Sequence, residues 1–398
     1  MAGDKLGVYN IEDLRQIAKR KLPRGIFEFV DRGTEDEVAL RNNRAAFEDI
    51  KLKTHVLADV SKRNLETKIF GKTSKMPFGV APTGTAGLLC YGGEVAVAKA
   101  ASRAGVPCVV ATNAMTSMEE IVREAGGDLW FQLYMWSDKE MSFKLVDRVK
   151  SVGFETLIVT VDGAVATNRE YNHRNGFEVP LQYTPRLMAQ LLAKPGWLAS
   201  CLLQQLVRRG VPKFENYPRE LMDGLLSKKL KRSILKNDSL HWNDLKTLRD
   251  RWKGNLVVKG ILHPDDAAMA AECGADGVIV SNHGGRNLDA SVAPIQILPE
   301  VVARVGNRMT VIVDSGFRRG TDVIKGLALG ADFVMAGRPT LFGAAAAGEA
   351  GAYRALEIFH EEIDRIIGLL GLHSVDEIGP DCLWRAASAG EPYRAAAE

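Results

Sequence analysis

The sequence predicts an α/β fold, a (β/α)8 TIM barrel with an N-terminal helical segment and a long insertion after strand 4. Two observations favour this fold. From Met76 onward, short runs of apolar and β-branched residues alternate with segments of helical periodicity, which is typical of a parallel sheet with crossover helices. There are eight such runs, and eight strands close this type of barrel.

Each predicted strand is followed by a predicted helix. The strands cover residues 78–81, 108–111, 129–133, 156–161, 256–258, 277–280, 310–313 and 333–335. The helices are predicted to begin near Glu94, Ser117, Asp138, Asn243, Pro264, Pro294, Gly320 and Pro339. Ahead of them, Ile11–Lys21 has the periodicity of an amphipathic helix that stops before Pro23. We expect one domain over residues 1–398, with the barrel at about 76–370 and the insertion at about 177–238.

The composition is ordinary for a globular protein. Of the 398 residues, 46% are apolar and 25% are charged, and 52 basic against 49 acidic residues give a formal net charge of +3. That balance argues against a nucleic-acid partner. No apolar run reaches the roughly 18–20 residues that span a bilayer, and the N-terminus has no signal-peptide pattern. The five cysteines form no Cys-x-x-Cys pair, which predicts a reducing compartment, the cytoplasm, and no structural metal.

Reactive side chains are concentrated directly after the predicted strands, where the active sites of such barrels lie. They include a histidine, a lysine, a tyrosine, aspartates and arginines, whereas ordinary loops would carry mostly solvated turn formers. From the first strand to the eighth, these positions are Pro82-Thr83-Gly84, Thr112, Tyr134, Asp162, Lys259, 282–286, 314–316 and Gly337-Arg338. This convergence predicts an enzyme.

The ends of strands seven and eight predict an anion site. Glycines within 314–320 and at Gly337 let backbone N–H groups approach an anion, and Arg318 and Arg338 add bidentate positive charge. Barrels commonly bind phosphate at this place. The alternative is that these glycines only close turns, and the residues themselves do not identify the phosphate compound.

Other strand ends supply candidate acid–base groups. His283 and Arg286 share one loop, which suits a base beside a bound carboxylate, although a structural histidine is the alternative. Asp162 can hold His283 and stabilise its protonated form, or it can form an ion pair with Arg169. Lys259 suits a Schiff-base nucleophile, a phosphate ligand or a fixed charge beside a cofactor, and the alternative is a solvated lysine.

These motifs together resemble the FMN-dependent 2-hydroxy acid oxidising family, which includes glycolate oxidase, lactate oxidase, flavocytochrome b2 and mandelate dehydrogenase. The resemblance covers nearly the whole chain. The matching segments are Lys21-Leu22-Pro23, Pro82-Thr83-Gly84, Phe131-Gln132-Leu133-Tyr134, Thr160-Val161-Asp162, Val258-Lys259-Gly260, 281–286 with Leu288-Asp289, Asp314-Ser315-Gly316 with Arg318, and Gly337-Arg338. The resemblance implies FMN as the cofactor and oxidation of a small (S)-2-hydroxy acid to the 2-oxo acid. Within the family, the pattern resembles (S)-mandelate and L-lactate dehydrogenases.

The resemblance also implies roles for single side chains. His283 is the base, and Asp162 supports its imidazolium form. Arg169 and Arg286 hold the substrate carboxylate, and Tyr134 hydrogen-bonds the substrate near its reacting end. Lys259 lies beside the flavin, where its charge stabilises the anionic reduced form. The other implied FMN ligands are Pro82, Thr83, Gly84, Thr112, Gln132, Thr160, Ser281, Asp314, Gly316, Arg318, Gly337 and Arg338.

Three positions differ from the common family pattern. Phe29 stands where the family usually has a tyrosine whose hydroxyl helps to hold the carboxylate, so we expect weaker substrate binding or a differently shaped substrate. Gly84 stands where oxidases of the family more often have alanine, which favours a dehydrogenase. Asn113 replaces the tryptophan of glycolate oxidase, which indicates a roomier pocket that accepts a larger, aromatic side chain.

The insertion after strand four predicts a membrane contact. Two apolar helical pieces flank Pro195-Gly196, and the second carries an apolar stripe and a polar one. The stripes are Leu198, Leu202 and Leu206 against Ser200, Gln204 and Arg208. Residues 208–236 hold nine Lys/Arg against three Asp/Glu, which suits an anionic membrane surface. This segment, 185–237, also resembles membrane-bound mandelate dehydrogenase; the alternative is a lid helix on the barrel rim or on a neighbouring subunit.

We therefore expect a dehydrogenase that passes electrons to a membrane quinone and lies in the cytoplasm, attached peripherally to the inner face of the cell membrane. The resemblance implies a homotetramer. Within the family, the alternatives are an L-lactate dehydrogenase and an oxidase that uses O2. Outside it, they are an FMN barrel of the isopentenyl diphosphate isomerase type, which needs no carboxylate-binding arginines, and a non-enzymatic flavoprotein.

Overall fold

The computed structural model describes residues 6–177, 184–218 and 238–384, and in these residues eight parallel strands close into a barrel. In chain order from β1 to β8, they are Phe78–Val80, Cys108–Ala111, Leu129–Leu133, Thr156–Thr160, Asn255–Ile261, Gly277–Val280, Thr310–Val313 and Phe333–Ala336. Each pairs with the next along the chain, and β8 pairs with β1 to close the ring. Most of their residues are buried, as expected for apolar runs covered on both faces. The (β/α)8 prediction is confirmed.

A helix follows each barrel strand along the chain. These helices are Gly93–Ala104, Met118–Ala125, Lys139–Val152, Trp242–Arg251, Pro264–Glu272, Pro294–Val305, Gly320–Ala328 and Arg338–Leu370. Two of the predicted start residues, Ser117 and Asp138, are N-caps. Their side chains accept hydrogen bonds from the backbone N–H groups of Glu120 and Met141, which have no partner within the helix. The predicted starts are therefore accurate because capping chemistry is local.

Strand β5 extends beyond its predicted end at Val258. Its pairing with β6 shifts register between Lys259 and Ile261, where Gly260 has φ +106°. A Cβ atom at Gly260 would lie 2.5 Å from the Cβ of Asp162. Glycine is required here both by the backbone conformation and by the close approach of Asp162, and the sequence pattern alone did not indicate this bulge.

The amino-terminal end of the barrel is closed by a β-hairpin, Thr67–Ile69 with Lys72–Ser74. Ile69 belongs to the apolar cluster that fills the barrel interior, and the ring of Phe70 lies 5.4 Å from that of Trp130. The interior at this end is thus packed with side chains, which leaves the carboxyl ends of the strands for ligands.

The N-terminal helical segment consists of Ile11–Lys21, Arg24–Asp31 and Val38–Ala45, and it is fastened to the loop after β6. Asn43 and Asn282, both buried, hydrogen-bond each other through their side-chain amides at 2.9 and 2.7 Å. The buried carboxylate of Asp289 accepts hydrogen bonds from the backbone N–H groups of Asp36 and Ala39, each at 3.1 Å. These contacts hold the segment against the mouth of the barrel.

Five helical pieces are described between β4 and the next barrel helix, the first of them just before the insertion. They are Glu170–Asn175, Pro185–Leu192, Pro195–Trp197, the π-helical turn Leu198–Leu203 and Gln204–Arg209. Trp197 is buried, and its indole N–H donates to the carbonyl of Leu88 at 2.9 Å, so one face of the insertion packs on the barrel rim.

The predicted stripes in this insertion are partly wrong. Leu198 and Leu202 do not face outward together with Leu206: they pack partly against the core, whereas Leu206 is 44% exposed. The reason is the π-helical turn Leu198–Leu203, which has more residues per turn than an α-helix. An α-helical period therefore does not predict which side chains of this segment lie on one face. The exposed apolar side chains are instead Leu203, Leu206 and Val207.

The remaining described elements are short. Lys51–Leu52 pairs with Leu383–Trp384, and single 3-10 turns lie at Ala86–Leu88, Val375–Glu377 and Pro380–Cys382. The last long helix bends at Ala347 and Gly348, whose backbone angles are not helical. Among the described helices, none combines the length and the apolarity needed to cross a bilayer.

Candidate active site

The carboxyl ends of the strands surround a cavity of about 430 Å³, a size typical of small-molecule and cofactor sites. Most of the predicted site residues line it: Phe29, Pro82, Thr83, Gly84, Gln132, Tyr134, Thr160, Arg169, Lys259, His283, Arg286, Asp314, Gly316, Arg318, Gly337 and Arg338. The structure therefore brings together side chains that are far apart in the sequence.

Three predicted residues lie behind the cavity wall and contact residues that line it. The Oγ1 of Thr112 accepts a hydrogen bond from the backbone N–H of Tyr134 at 3.1 Å. The Oγ of Ser281 accepts one from Lys259 at 2.7 Å, and Asp162 contacts His283. These residues support the wall, and the ligand contacts expected of Thr112 and Ser281 stay a prediction.

His283 lies on a tight loop with its imidazole between Asp162 and Tyr134. The Nδ1 atom lies 2.9 Å from Oδ1 of Asp162, and the Nε2 atom lies 3.3 Å from the hydroxyl of Tyr134. Because Nδ1 faces a carboxylate, Nδ1 donates its proton there, and Nε2 is the nitrogen on the side of Tyr134 and the cavity. The backbone of His283 has φ +58°, a left-handed conformation that non-glycine residues adopt rarely and mostly at functional sites.

Asp162 is held as a carboxylate. Burial alone would raise the pKa of Asp162, but the hydrogen bond and charge of His283, together with the charge of Lys259, lower it below its ordinary value. In the described residues, the ion-pair partner of this carboxylate is His283 and no pair with Arg169 is found. Of the two predicted partners of Asp162, His283 and Arg169, the geometry agrees with His283.

Tyr134 is protonated in this environment. Burial raises the pKa of Tyr134 well above its ordinary value, and the nearby carboxylate of Asp162 raises it further. A neutral phenol beside the Nε2 of His283 can donate a hydrogen bond, either to that nitrogen or to a ligand.

Lys259 is almost fully buried, with 5% of its side chain exposed, so it is not a solvated lysine. Its Nζ lies 3.0 Å from Oδ2 of Asp314 and donates to Ser281. The buried ammonium group is paired with a carboxylate, as a buried charge requires. This fixes a positive charge in the floor of the cavity.

Four arginines at the cavity have no carboxylate partner among the described residues: Arg169, Arg286, Arg318 and Arg338. Their guanidinium groups donate to backbone carbonyls, as in the contact of Arg338 Nε with the carbonyl of Val30 at 2.8 Å. Burial, and then repulsion from Arg286 and Arg318, lowers the pKa of Arg338 to about 9. Burial and repulsion from Arg286 likewise lower the pKa of Arg169 to about 10.

This accumulation of positive charge is a binding site for anions. Arg318 and Arg338 lie beside Gly316 and Gly337, at the ends of β7 and β8. Arg169 and Arg286 lie near His283, since the charge of both acts on Tyr134. A phosphate at the first pair and a carboxylate at the second would remove repulsion that the protein alone leaves uncompensated.

Two aromatic cavity residues were not among the predicted site residues. Phe214 and Tyr217 reach the cavity from the insertion. They line it together with Asn113, a residue expected at the pocket from the sequence, which stands two positions after the end of β2. The hydroxyl of Tyr217 donates to Oδ1 of Asn113 at 2.8 Å. The aromatic pair 214 and 217 lay within the insertion that was interpreted as a membrane contact, and no sequence pattern linked it to the strand ends.

Comparison with known proteins supports the chemistry of this cavity. The family described as FMN-dependent dehydrogenase matches residues 18–385. The (S)-mandelate dehydrogenase of Pseudomonas putida is 38% identical over 376 residues, 94% of each chain. A putative L-lactate dehydrogenase of Mycobacterium tuberculosis is 38% identical over 371 residues, 93% of this chain and 87% of its own. A crystal structure of the monotopic membrane protein (S)-mandelate dehydrogenase has a TM-score of 0.88 at 37% identity, covering 95% of this chain and 99% of that chain.

A parallel barrel whose strand ends carry a histidine, a tyrosine and arginines without a carboxylate partner among the described residues is suited to an enzyme that binds a small acid and a phosphate-bearing group. The chain belongs to the FMN-dependent dehydrogenase family and is an FMN-dependent 2-hydroxy acid dehydrogenase or oxidase. The predicted cofactor, FMN, and the predicted enzyme class are confirmed.

The residues of the cavity fit FMN. Its phosphate group matches the unpaired guanidinium groups of Arg318 and Arg338. The amide of Gln132, whose Nε2 donates to Thr160 at 3.0 Å, offers polar atoms to the heteroatom edge of a flavin. Lys259 would place a buried positive charge beside the cofactor, where it would favour the negatively charged reduced form.

We predict that Arg318→Leu weakens FMN binding by roughly 10- to 100-fold, because it removes a charged hydrogen bond to the phosphate. Arg319→Leu is the matched control, since the neighbouring Arg319 points away and pairs with Glu362 on the surface. Fluorescence titration of the two apoproteins with FMN measures the affinities. Equal dissociation constants for both variants would show that Arg318 does not hold the phosphate.

Proposed function

We propose that this enzyme oxidises an (S)-2-hydroxy acid with an aromatic side chain, such as mandelate, to the 2-oxo acid, with His283 as the base. The observation that carries the proposal is the fixed chain from Asp162 to His283 to Tyr134, with contacts of 2.9 and 3.3 Å. These contacts hold Nε2 of His283 at the side of the cavity, which is also lined by Arg169 and Arg286.

Each side chain has a task in the proposed reaction. Bound FMN supplies the acceptor for the two electrons that leave the substrate. Arg169 and Arg286 hold the substrate carboxylate by charge and hydrogen bonds. The carbinol loses two electrons and two protons. Nε2 of His283 takes one proton, the two electrons and the other proton would go to FMN, and the carboxylate of Asp162 stabilises the imidazolium that forms.

The lining of the cavity supports an aromatic substrate. Phe29, Phe214 and Tyr217 contribute aromatic surface to it, whereas Gly84 and Asn113 are small residues that leave room. A phenyl ring gains from apolar contact and from edge or offset stacking with such side chains. The relatives are named mandelate and L-lactate dehydrogenases. Mandelate and lactate are both 2-hydroxy acids, and they differ in the size of the side chain on the carbinol carbon.

The proposed electron acceptor is a membrane quinone. A Cβ atom at Gly84 would lie 3.1 Å from the Cβ of Asn113, so the alanine that is more frequent in oxidases of the family would be crowded here. This supports a dehydrogenase, as does the outer surface of the insertion described below. The test below also distinguishes the two alternatives, an L-lactate dehydrogenase and an oxidase that uses O2. The homotetramer stays a prediction.

Anaerobic mixing of the FMN-loaded enzyme with substrate tests the proposal. We expect (S)-mandelate to bleach the flavin absorbance faster than L-lactate or glycolate does. Asp162→Asn should lower the rate by roughly 10²- to 10⁴-fold while FMN stays bound, because the imidazolium loses its counter-charge. Admission of O2 then separates an oxidase from a dehydrogenase by the rate of flavin reoxidation.

Two results would contradict the proposal. If no 2-hydroxy acid bleaches the flavin of a fully loaded enzyme, the activity is absent. If Asp162→Asn reduces its flavin as fast as the unsubstituted enzyme does, His283 is not a base that depends on this carboxylate.

We predict that Phe29→Tyr lowers KM for mandelate by roughly two- to tenfold, because the added hydroxyl supplies a hydrogen bond to the carboxylate. The ring of Phe29 lies at the cavity with the guanidinium of Arg286 5.1 Å from its centre, which places the new hydroxyl among the carboxylate-binding groups. Mandelamide, which lacks the carboxylate, is the control ligand and should gain less. An unchanged or higher KM for mandelate would mean that Phe29 suits a substrate of another shape.

We further propose that the insertion binds an anionic membrane surface. Leu203, Leu206 and Val207 are 57%, 44% and 76% exposed, and Leu192 and Val211 are 68% and 48% exposed. Lys and Arg exceed Asp and Glu in the sequence that follows. Exposed apolar side chains beside basic residues are what binds the interface of an anionic bilayer. A solved relative is described as a monotopic membrane protein, and this supports the proposal.

We predict that the double variant Leu203→Ser, Val207→Ser binds phosphatidylglycerol vesicles at least roughly tenfold more weakly than the unsubstituted enzyme, since two apolar side chains no longer enter the interface. Leu369→Ser is the matched control, because Leu369 is 63% exposed on the last helix. Co-sedimentation measures the partition. This role would be contradicted if the unsubstituted enzyme stayed in the supernatant instead of sedimenting with the vesicles. It would also be contradicted if Leu369→Ser weakened vesicle binding as much as the double variant does.

A further inference from the structure

Asn113 and Tyr217 form a polar pair in the otherwise aromatic part of the cavity wall. The hydroxyl of Tyr217 donates to Oδ1 of Asn113 at 2.8 Å, and both residues line the cavity. Tyr217 is 6% exposed, and burial raises the pKa of its phenol well above the ordinary value, so it stays neutral. The pair therefore presents uncharged hydrogen-bonding groups.

The pair is held rigidly by the chain around it. Asn216, which is fully buried, donates to the carbonyl of Ala111 at 3.1 Å and accepts from the backbone N–H of Met118 at 2.9 Å. The backbone N–H of Glu215 donates to the carbonyl of Ala114 at 3.0 Å. The end of the insertion is thus pinned to the loop after β2, and Tyr217 is fixed relative to Asn113.

One polar group of this pair remains available to a ligand. In the described part of the chain, the Nδ2 of Asn113 has no hydrogen-bond partner. A half-turn of the amide would instead leave its carbonyl oxygen available, with Tyr217 as acceptor. A hydroxyl on the ligand satisfies either arrangement because it both donates and accepts, whereas a charged group finds no counter-charge at Phe214 or Tyr217.

We propose that Asn113, oriented by Tyr217, recognises a hydroxyl group on the aromatic side chain of the substrate, so that a ring-hydroxylated mandelate is preferred to mandelate itself. This inference rests on the proposed oxidation of an aromatic 2-hydroxy acid and narrows its substrate class. The specificity then comes from a polar group that a ligand without the hydroxyl leaves unpaired.

The test compares flavin reduction by 2-, 3- and 4-hydroxymandelate with that by the corresponding methylmandelates, which have similar shape and no hydroxyl. The measured quantity is the anaerobic reduction rate constant divided by the dissociation constant. We expect one hydroxymandelate to exceed its methyl counterpart by about tenfold or more. In Asn113→Leu this ratio should fall to about one, and Tyr217→Phe should lower it because the amide is no longer oriented.

Tyr9→Phe is the control for loss of a phenolic hydroxyl, since Tyr9 is 77% exposed and far from the cavity in the N-terminal segment, and it should keep the full ratio. Ratios within twofold for all three pairs in the unsubstituted enzyme would overturn the inference while the oxidation of mandelate still stands. A ratio preserved in FMN-loaded Asn113→Leu would overturn it as well. If none of these acids bleaches the flavin, the proposed function itself fails and the inference falls with it.

Discussion

The hydrogen bond between Nδ1 of His283 and the carboxylate of Asp162 is the contact on which the site depends. It requires a histidine in a left-handed backbone conformation on one loop and an aspartate at the end of β4 on another. Gly260 makes the approach possible, since any side chain there would occupy the space of Asp162. The bulge in β5 and the left-handed residue in the loop after β6 thus both accompany this one 2.9 Å contact.

Uncompensated positive charge is the second constraint at the mouth of the barrel. Buried charges are normally paired, and Lys259 obeys this rule through Asp314. Among the described residues the four cavity arginines have no such partner. Burial and mutual repulsion lower the pKa of Arg169 and of Arg338, so anionic ligands at these groups would relieve repulsion. Binding of such ligands therefore stabilises the fold as well as preparing the reaction, because a ligand that binds only the folded state shifts the folding equilibrium.

The insertion has two faces with different surroundings. Its inner face packs on the rim through Trp197 and supplies Tyr217 to the cavity. Its outer face exposes Leu203 and Val207. The two alternatives drawn from the sequence, a lid on the rim and a membrane contact, are therefore compatible, since one segment can pack on the barrel with one side and bind a surface with the other.

The barrel, its strand ends and most of the residues that meet there could be predicted from the amino-acid sequence. This was possible because alternating apolar runs and helix caps are local signals, and because the chemistry of this barrel lies where strands end. The partner of Asp162, the contacts of Thr112 and Ser281 with wall residues, and the contact of Tyr217 with Asn113 came from the three-dimensional arrangement. The first and the last join residues 121 and 104 positions apart, and the other two join residues 22 apart on or directly after neighbouring strands, so no local pattern in the sequence encodes them.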